Sequence, residues 1–226
     1  MTLDACIHLT QILMALAFIQ AGLEHLTGPA DLRNIHMLRI GLSVALLIGA
    51  WPLAMLAGLA LTSLWLLRRF DGPYNGGSDK MGLLVLFMLL LAELVRDPAW
   101  QERILAYLGF QVIMSYFISG QVKIINPDWR SGAALRDVFA FSAYPVSETL
   151  RQLAHRPRLL CAASWVVMMF EVLFPIALLD QRLLFAALFL GALFHLANAC
   201  LFGLNRFFWI WPASYPALIW LQARLF

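Results

Sequence analysis

Long apolar runs, separated by short polar segments, dominate the chain from end to end. A bilayer core of about 30 Å is crossed by about 20 helical residues, and most of these runs approach that length. We predict eight membrane-spanning helices, at residues 5–26, 38–50, 52–69, 81–97, 101–122, 158–179, 183–202 and 207–225. The predicted fold class is all-α, a polytopic transmembrane helix bundle that forms a single domain over residues 1–226.

The apolar stretch between residues 40 and 67 is too long for one ordinary span and rather short for two. Trp51 and Pro52 lie in its middle. A proline removes a helical hydrogen bond and pushes the preceding residue out of the α region. We therefore predict a tight hairpin here, with one helix on each side of it.

The distribution of basic residues supports eight spans. Cytoplasmic loops of membrane proteins carry an excess of Lys and Arg. With eight helices the basic residues divide twelve against four, and merging the hairpin into one helix changes this to ten against six. The larger group consists of Arg33, Arg39, Arg68, Arg69, Lys80, Lys123, Arg130, Arg136, Arg151, Arg156, Arg158 and Arg206. We therefore predict that both termini lie on the non-cytoplasmic side.

The segment 123–157 is the one long connection. Asn126 begins a turn signal, and residues 131–141 read as a short helix that lies on the membrane surface. Ser147 is suited to cap a second short helix that ends near His155.

Composition excludes several classes of protein. Hydrophobic residues make up 62% of the chain, charged residues 13%, and the mean hydropathy is +0.78. A soluble domain carries about 25% charged residues, about twice the share in this chain, so the composition argues against a soluble domain. No Lys/Arg tract indicates a nucleic-acid partner, and the three cysteines form no C-x-x-C motif, so neither a dithiol nor a metal site is predicted.

Ionisable groups inside a bilayer are costly, and each is therefore a candidate site residue. Lys123 follows an apolar run. It either extends its amine to the lipid headgroups or holds that amine in a half-dry pocket, where it would serve as a base. Tyr116, Gly120 and Lys123 lie on one helical face, and the glycine would leave space beside the amine.

His195 and Asn198 are the second candidate group, because their spacing places them on the same helical face. The histidine is either a packing residue or part of a polar cluster that faces the bundle interior. Glu171, Glu24 and His25 are weaker candidates, which either lie near an interface or pair with a neighbouring helix. No spacing of histidines favours a haem, although one that bridges His195 and another histidine stays open.

Three sequence islands resemble the membrane part of vitamin K-dependent γ-glutamyl carboxylase and the wider bacterial HTTM group. The first covers residues 116–123 and 128–132, with the sequences YFISGQVK and DWRSG. The second, NGGSDKMGLL at residues 75–84, is similar to a family loop that enters a membrane helix. The third, FHLAN at residues 194–198, is followed by Leu201 and Phe202.

This resemblance implies roles for individual residues. In the carboxylase, the lysine that matches Lys123 is the base that activates vitamin K hydroquinone for reaction with oxygen. His195 is then expected to line the pocket, with Asn75 and Asp79 nearby. Two features depart from the family pattern. Gly77 stands where an assisting histidine is expected, and we expect no counterpart of the large extramembrane domain that holds a peptide substrate. We therefore do not expect peptide carboxylation by this chain alone.

The favoured function is that of a quinol-handling membrane enzyme in which Lys123 is the base. Tyr116, His195 and Asn198 would orient the ring of a quinone or hydroquinone or stabilise an oxyanion. Membrane lipid and a separate substrate or redox partner protein are the expected partners, and a bacterial inner membrane is the expected location. The alternative is a non-catalytic maturation, export or immunity partner that uses the same fold. A transporter is less favoured because no duplicated halves are visible.

Overall fold

The structure, a computed structural model, describes residues 1–27, 30–69, 76–95, 97–142 and 147–226. These residues contain helices and no strand, which confirms the all-α fold class. The α-helices are α1 Leu3–His25, α2 Ala30–Leu47, α3 Pro52–Leu67, α4 Gly76–Val95, α5 Pro98–Ile125, α6 Pro127–Ser131, α7 Ala133–Phe141, α8 Glu148–Arg151, α9 Pro157–Leu173, α10 Gln181–Phe202 and α11 Asn205–Leu225. Two 3₁₀ helices, Gln152–His155 and Phe174–Leu179, continue α8 and α9.

A helix lies at each of the eight predicted positions. Four segments in the described part of the chain are long and apolar enough to cross a membrane: Leu3–His25, Pro98–Ile125, Pro157–Leu179 and Gln181–Phe202. The count of eight spans stays a prediction. The tight hairpin is confirmed, because α2 ends at Leu47 and α3 begins at Pro52. Gly49 and Trp51 adopt positive φ angles of 74° and 43° in the turn between them.

The chain divides into two compact units. The first consists of Met1–Gly109 and Arg206–Phe226, and the second consists of Phe110–Asn205. In the first unit α1 packs on α2, α2 on α3 and α3 on α4. Its buried side chains include Met14, Leu56 and Leu86, none of which has any exposed surface. The assignment of residues 1–226 to one domain stays a prediction.

The second unit contains the C-terminal part of α5, the short helices α6–α8, and the long helices α9 and α10. Phe139, Leu160 and Phe202 form a buried apolar cluster that joins α7, α9 and α10. Many apolar side chains of α9 and α10 remain exposed, among them Val166 at 69% and Phe189 at 64%. Such large exposed apolar faces are typical of helices that are solvated by lipid.

The connection 123–157 differs in detail from the prediction. Helix α5 continues to Ile125, three residues beyond the predicted end at residue 122, and stops before Pro127. The predicted helix 131–141 is α7, which begins only at Ala133 because Gly132 takes a left-handed conformation with φ 81°. Ser147 caps α8 as predicted by accepting a hydrogen bond from the Thr149 amide, and this helix then tightens into a 3₁₀ turn. Whether α7 lies on a membrane surface stays a prediction.

Candidate functional site

A buried ion pair joins α5 to α9 in the second unit. Lys123 Nζ lies 2.6 Å from Glu171 Oε2 and 2.8 Å from Oε1. The Glu171 side chain is 3% exposed and that of Lys123 is 17% exposed. The carboxylate is therefore enclosed, whereas the lysine side chain is partly exposed.

Ser119 completes the coordination of the ammonium. It lies one turn before Lys123 on α5, and its Oγ accepts a hydrogen bond of 2.6 Å from Lys123 Nζ. The same hydroxyl donates to Glu171 Oε1 at 3.2 Å. A lysine ammonium has three N–H donors, and these two residues supply three acceptor oxygens. Trp129 on α6 presents its ring face 5.4 Å from the same nitrogen.

Gly120 lies between Ser119 and Lys123 on α5 and allows α9 to approach closely. A Cβ atom built on Gly120 would lie 2.8 Å from the backbone nitrogen of Val172 and 2.8 Å from Glu171 Cβ. The sequence predicts that Gly120 leaves open space beside the amine, and this prediction is wrong. Instead the glycine allows the helices to contact each other where Glu171 turns towards Lys123.

Tyr116 and His195 form a second polar pair in this unit. Tyr116 Oη lies 2.9 Å from His195 Nε2, which links α5 to α10 by a buried hydrogen bond. Both residues are 2% exposed. Phe174 stacks on the Tyr116 ring with 4.1 Å between the ring centroids, and Phe170 meets it edge-on at 5.8 Å. An aromatic layer from α9 and its 3₁₀ extension thus covers the phenol.

Tyr116 and Lys123, the members of the two polar pairs that α5 contributes, lie on one face of this helix. Tyr116 and Lys123 are seven residues apart, which is about 10 Å along a helix. Lys123 contacts Glu171 on α9, and Tyr116 contacts His195 on α10. The predicted face of Tyr116, Gly120 and Lys123 therefore points towards α9 and α10, and a common site for Lys123 and His195 stays a prediction.

The short helix α6 is fixed against α9 beside the ion pair. The Trp165 indole N–H donates to the Arg130 carbonyl at 3.1 Å. Gly132, at the end of α6, lies so close to α9 that a Cβ atom there would be 2.7 Å from the backbone nitrogen of Cys161. The second part of the first sequence island, residues 128–132, therefore positions Trp129 over Lys123.

The remaining predicted site residues lie elsewhere. Asn198 is partly buried on α10, and among the described residues its side chain makes no hydrogen bond, although its backbone carbonyl accepts one from Leu204. Asp79 lies in the first turn of α4 in the first unit and pairs with Arg206 at 2.8 Å. Asn75 lies outside the described residues.

Glu171 and Ser119 are not among the predicted site residues. From the sequence Glu171 is only a weak candidate, with pairing to a neighbouring helix as one of its interpretations, and Ser119 belongs to a sequence island without a role of its own. The signal for Glu171 in the sequence is that it is the single charged residue inside the apolar run of α9. Such a group inside a bilayer needs a partner of opposite charge, and Lys123 is the residue that the structure supplies.

Comparisons with known proteins give one match. The model of a family described as the HTTM domain matches residues 93–220. No curated protein and no solved structure matches the chain. Within the described residues, no group of three or more His, Cys, Asp or Glu side chains is placed to hold a metal ion.

Proposed function

The chain belongs to the HTTM family and is an integral membrane protein, and from this premise we propose that it binds a hydroquinone and removes a proton from it. The observation that supports this proposal is the Lys123–Glu171 pair, which places a carboxylate and an ammonium together in an apolar unit. The proposed location is the inner membrane of a bacterium, with both termini on the non-cytoplasmic side.

The two residues of the pair have different proposed roles. An ammonium has no lone pair with which to accept a proton, and Lys123 as an ammonium directs its three donors at Glu171 and Ser119. The Glu171 carboxylate is therefore the proposed proton acceptor, in place of Lys123, to which the family resemblance assigns that role. Lys123 then exchanges the carboxylate for the negative oxygen of the deprotonated substrate, so that one ion pair replaces another and the net charge of the site is unchanged.

Preorganisation explains why such an exchange would be fast. The ammonium and the carboxylate are held by α5 and α9 before any substrate arrives, and donors fixed in a dry site stabilise a developing oxyanion without reorganisation. The partly exposed side of Lys123, beside Trp129, is the proposed entrance. Tyr116, His195 and Asn198 are proposed to orient the ring from α5 and α10. A separate protein is proposed to supply the final substrate or to accept the electrons.

Mass spectrometry of lipid extracts from protein purified in mild detergent tests this function. The samples are wild type, Lys123→Ala, His195→Ala and, as a matched control, Lys80→Ala, which alters an exposed lysine on α4. We expect one quinone per wild-type or Lys80→Ala molecule and depletion in the two site variants, with helix content checked by circular dichroism. No quinone in the wild type, or equal amounts in all four, would contradict the proposal and favour the non-catalytic partner.

A further inference from the structure

The first unit buries a guanidinium that has only neutral partners among the described residues. Arg39 on α2 is 5% exposed. Its Nη1 donates to Thr62 Oγ1 at 3.0 Å and to Ser63 Oγ at 2.8 Å, and its Cζ lies 4.5 Å from the centroid of the Phe18 ring. Hydroxyl groups and a ring face do not cancel a full positive charge. Buried charges in proteins are normally paired with an ion of opposite sign.

The charged groups nearest to Arg39 form a salt bridge with each other. Asp79 and Arg206 form a salt bridge of 2.8 Å, with side chains 25% and 18% exposed. Both act electrostatically on Arg39, the carboxylate favourably and the guanidinium unfavourably. Asp79 is paired with Arg206, so that the three groups together carry a net charge of +1.

His36 adds an independent observation at the same place. It lies one turn before Arg39 on the same face of α2, is 6% exposed, and is within electrostatic reach of Arg39. His36 Nδ1 is buried and has no hydrogen-bond partner among the described residues. The ring stacks on His25 at 4.7 Å between centroids, which fixes its orientation. A buried polar atom without a partner in a native structure calls for a specific explanation, such as an ion that is not part of the chain.

We propose that Arg39 and His36 bind one phosphate-type oxyanion in the first unit, from either a phospholipid headgroup or a soluble phosphate compound. A guanidinium presents donors in a planar fork that matches two phosphate oxygens. A neutral imidazole adds a single N–H donor without further positive charge. This site is separate from the proposed hydroquinone site and does not depend on it.

The exposed side of α2, opposite His36 and Arg39, agrees with a lipid as the source of the oxyanion. Met37 and Leu38, between His36 and Arg39 in sequence, are 57% and 51% exposed. Apolar side chains at this position of a membrane protein would contact acyl chains. Basic sites between membrane helices are known to bind anionic lipid headgroups.

Thermal unfolding of the full chain in phosphate-free detergent tests the site. Three probes are added separately to wild type: inorganic phosphate, phosphatidic acid in mixed micelles, and diacylglycerol with the same acyl chains. We expect a saturable rise of the unfolding midpoint with phosphatidic acid and none with diacylglycerol. A rise with inorganic phosphate would support the site and identify a soluble source. No rise with either phosphate-containing probe would overturn the proposal.

Variants of α2 locate the effect. Arg39→Lys keeps the charge but loses the fork, and we expect binding about tenfold weaker. Arg39→Gln also removes the charge and should weaken binding further. His36→Gln replaces the imidazole N–H, whose ring is stacked on His25, by a flexible amide and should also weaken binding. Arg33→Gln is the matched control, because Arg33 is exposed on the same helix. If Arg39→Gln does not fold, the Arg39→Lys and His36→Gln titrations decide. Equal losses in Arg33→Gln and Arg39→Lys, or unchanged binding in Arg39→Lys and His36→Gln, would contradict the proposed site.

Discussion

Each of the two units contains a basic side chain with little exposed surface, but the two side chains are compensated differently. In the second unit, Lys123 has a carboxylate partner at 2.6 Å and a hydroxyl partner at 2.6 Å. In the first unit, the described partners of Arg39 are two hydroxyls and an aromatic ring. A compensated pair is stable without a ligand and can exchange its anion, whereas an uncompensated cation needs an anion from outside. The same type of charge thus indicates proton chemistry in one unit and ligand binding in the other.

Removal of one member of the compensated pair should have the largest effect on stability. Lys123→Met leaves the Glu171 carboxylate buried without its counter-ion, and the loss of one partner of a buried pair costs about 3–5 kcal/mol. We expect a decrease of that size in the free energy of unfolding, measured by chemical denaturation in mild detergent. A further change, Glu171→Leu, should restore most of it, because an apolar pair carries no desolvation penalty.

The control for this prediction is Lys80→Met, which alters an exposed lysine and should stay within about 0.5 kcal/mol of wild type. If Lys123→Met costs no more than Lys80→Met, the ion pair does not contribute to the folded state as described.

The close contact that brings Glu171 to Lys123 should be next in size. Gly120→Ala places a methyl group 2.8 Å from the Val172 nitrogen, and overpacking of this kind costs about 1–3 kcal/mol. The matched control is Gly41→Ala on α2, where a Cβ atom meets nothing within 4 Å. There the alanine should stabilise the helix by about 0.5–1 kcal/mol. Opposite signs are therefore expected in the same unfolding assay, and equal signs would refute the close approach at Gly120.

The hydrogen bond between Tyr116 and His195 should make a smaller contribution. Tyr116→Phe removes the hydroxyl and keeps the ring that stacks on Phe174, so the loss should be about 1 kcal/mol. Tyr107→Phe on the same helix alters a tyrosine that is 48% exposed and should have no measurable effect. An effect of Tyr116→Phe no greater than that of Tyr107→Phe would remove the buried hydrogen bond from the account.

Replacement of the uncompensated cation should have the smallest effect. Arg39→Met loses two hydrogen bonds of about 1 kcal/mol each but also removes the cost of burying an unpaired charge. In phosphate-free, lipid-depleted detergent we expect the stability to change by less than about 1 kcal/mol. A loss as large as that of Lys123→Met would show that Arg39 is compensated within the chain, and the contrast between the two units would disappear.

The sequence predicts the helices better than it predicts their contacts. The length of each apolar run predicts a helix at each of the eight positions, because a bilayer of given thickness requires a given number of helical residues. Trp51-Pro52 predicts the hairpin, because a proline interrupts the helix in which it lies. The resemblance drew attention to Lys123 and His195. The role of Gly120 and the partner of Lys123 depend on which helix packs against α5, and that is a tertiary property that helical spacing cannot specify. Glu171 lies 48 residues away from Lys123.

Infrared difference spectroscopy upon hydroquinone binding tests the central claim most directly. If Glu171 accepts the substrate proton, binding should produce a carboxylic acid C=O band in wild type that is absent from Glu171→Gln. The band should be unchanged in Glu148→Gln, which alters a carboxylate that is 78% exposed. Absence of the band from wild type, or its persistence in Glu171→Gln, would contradict the claim that the Lys123–Glu171 pair takes up the proton.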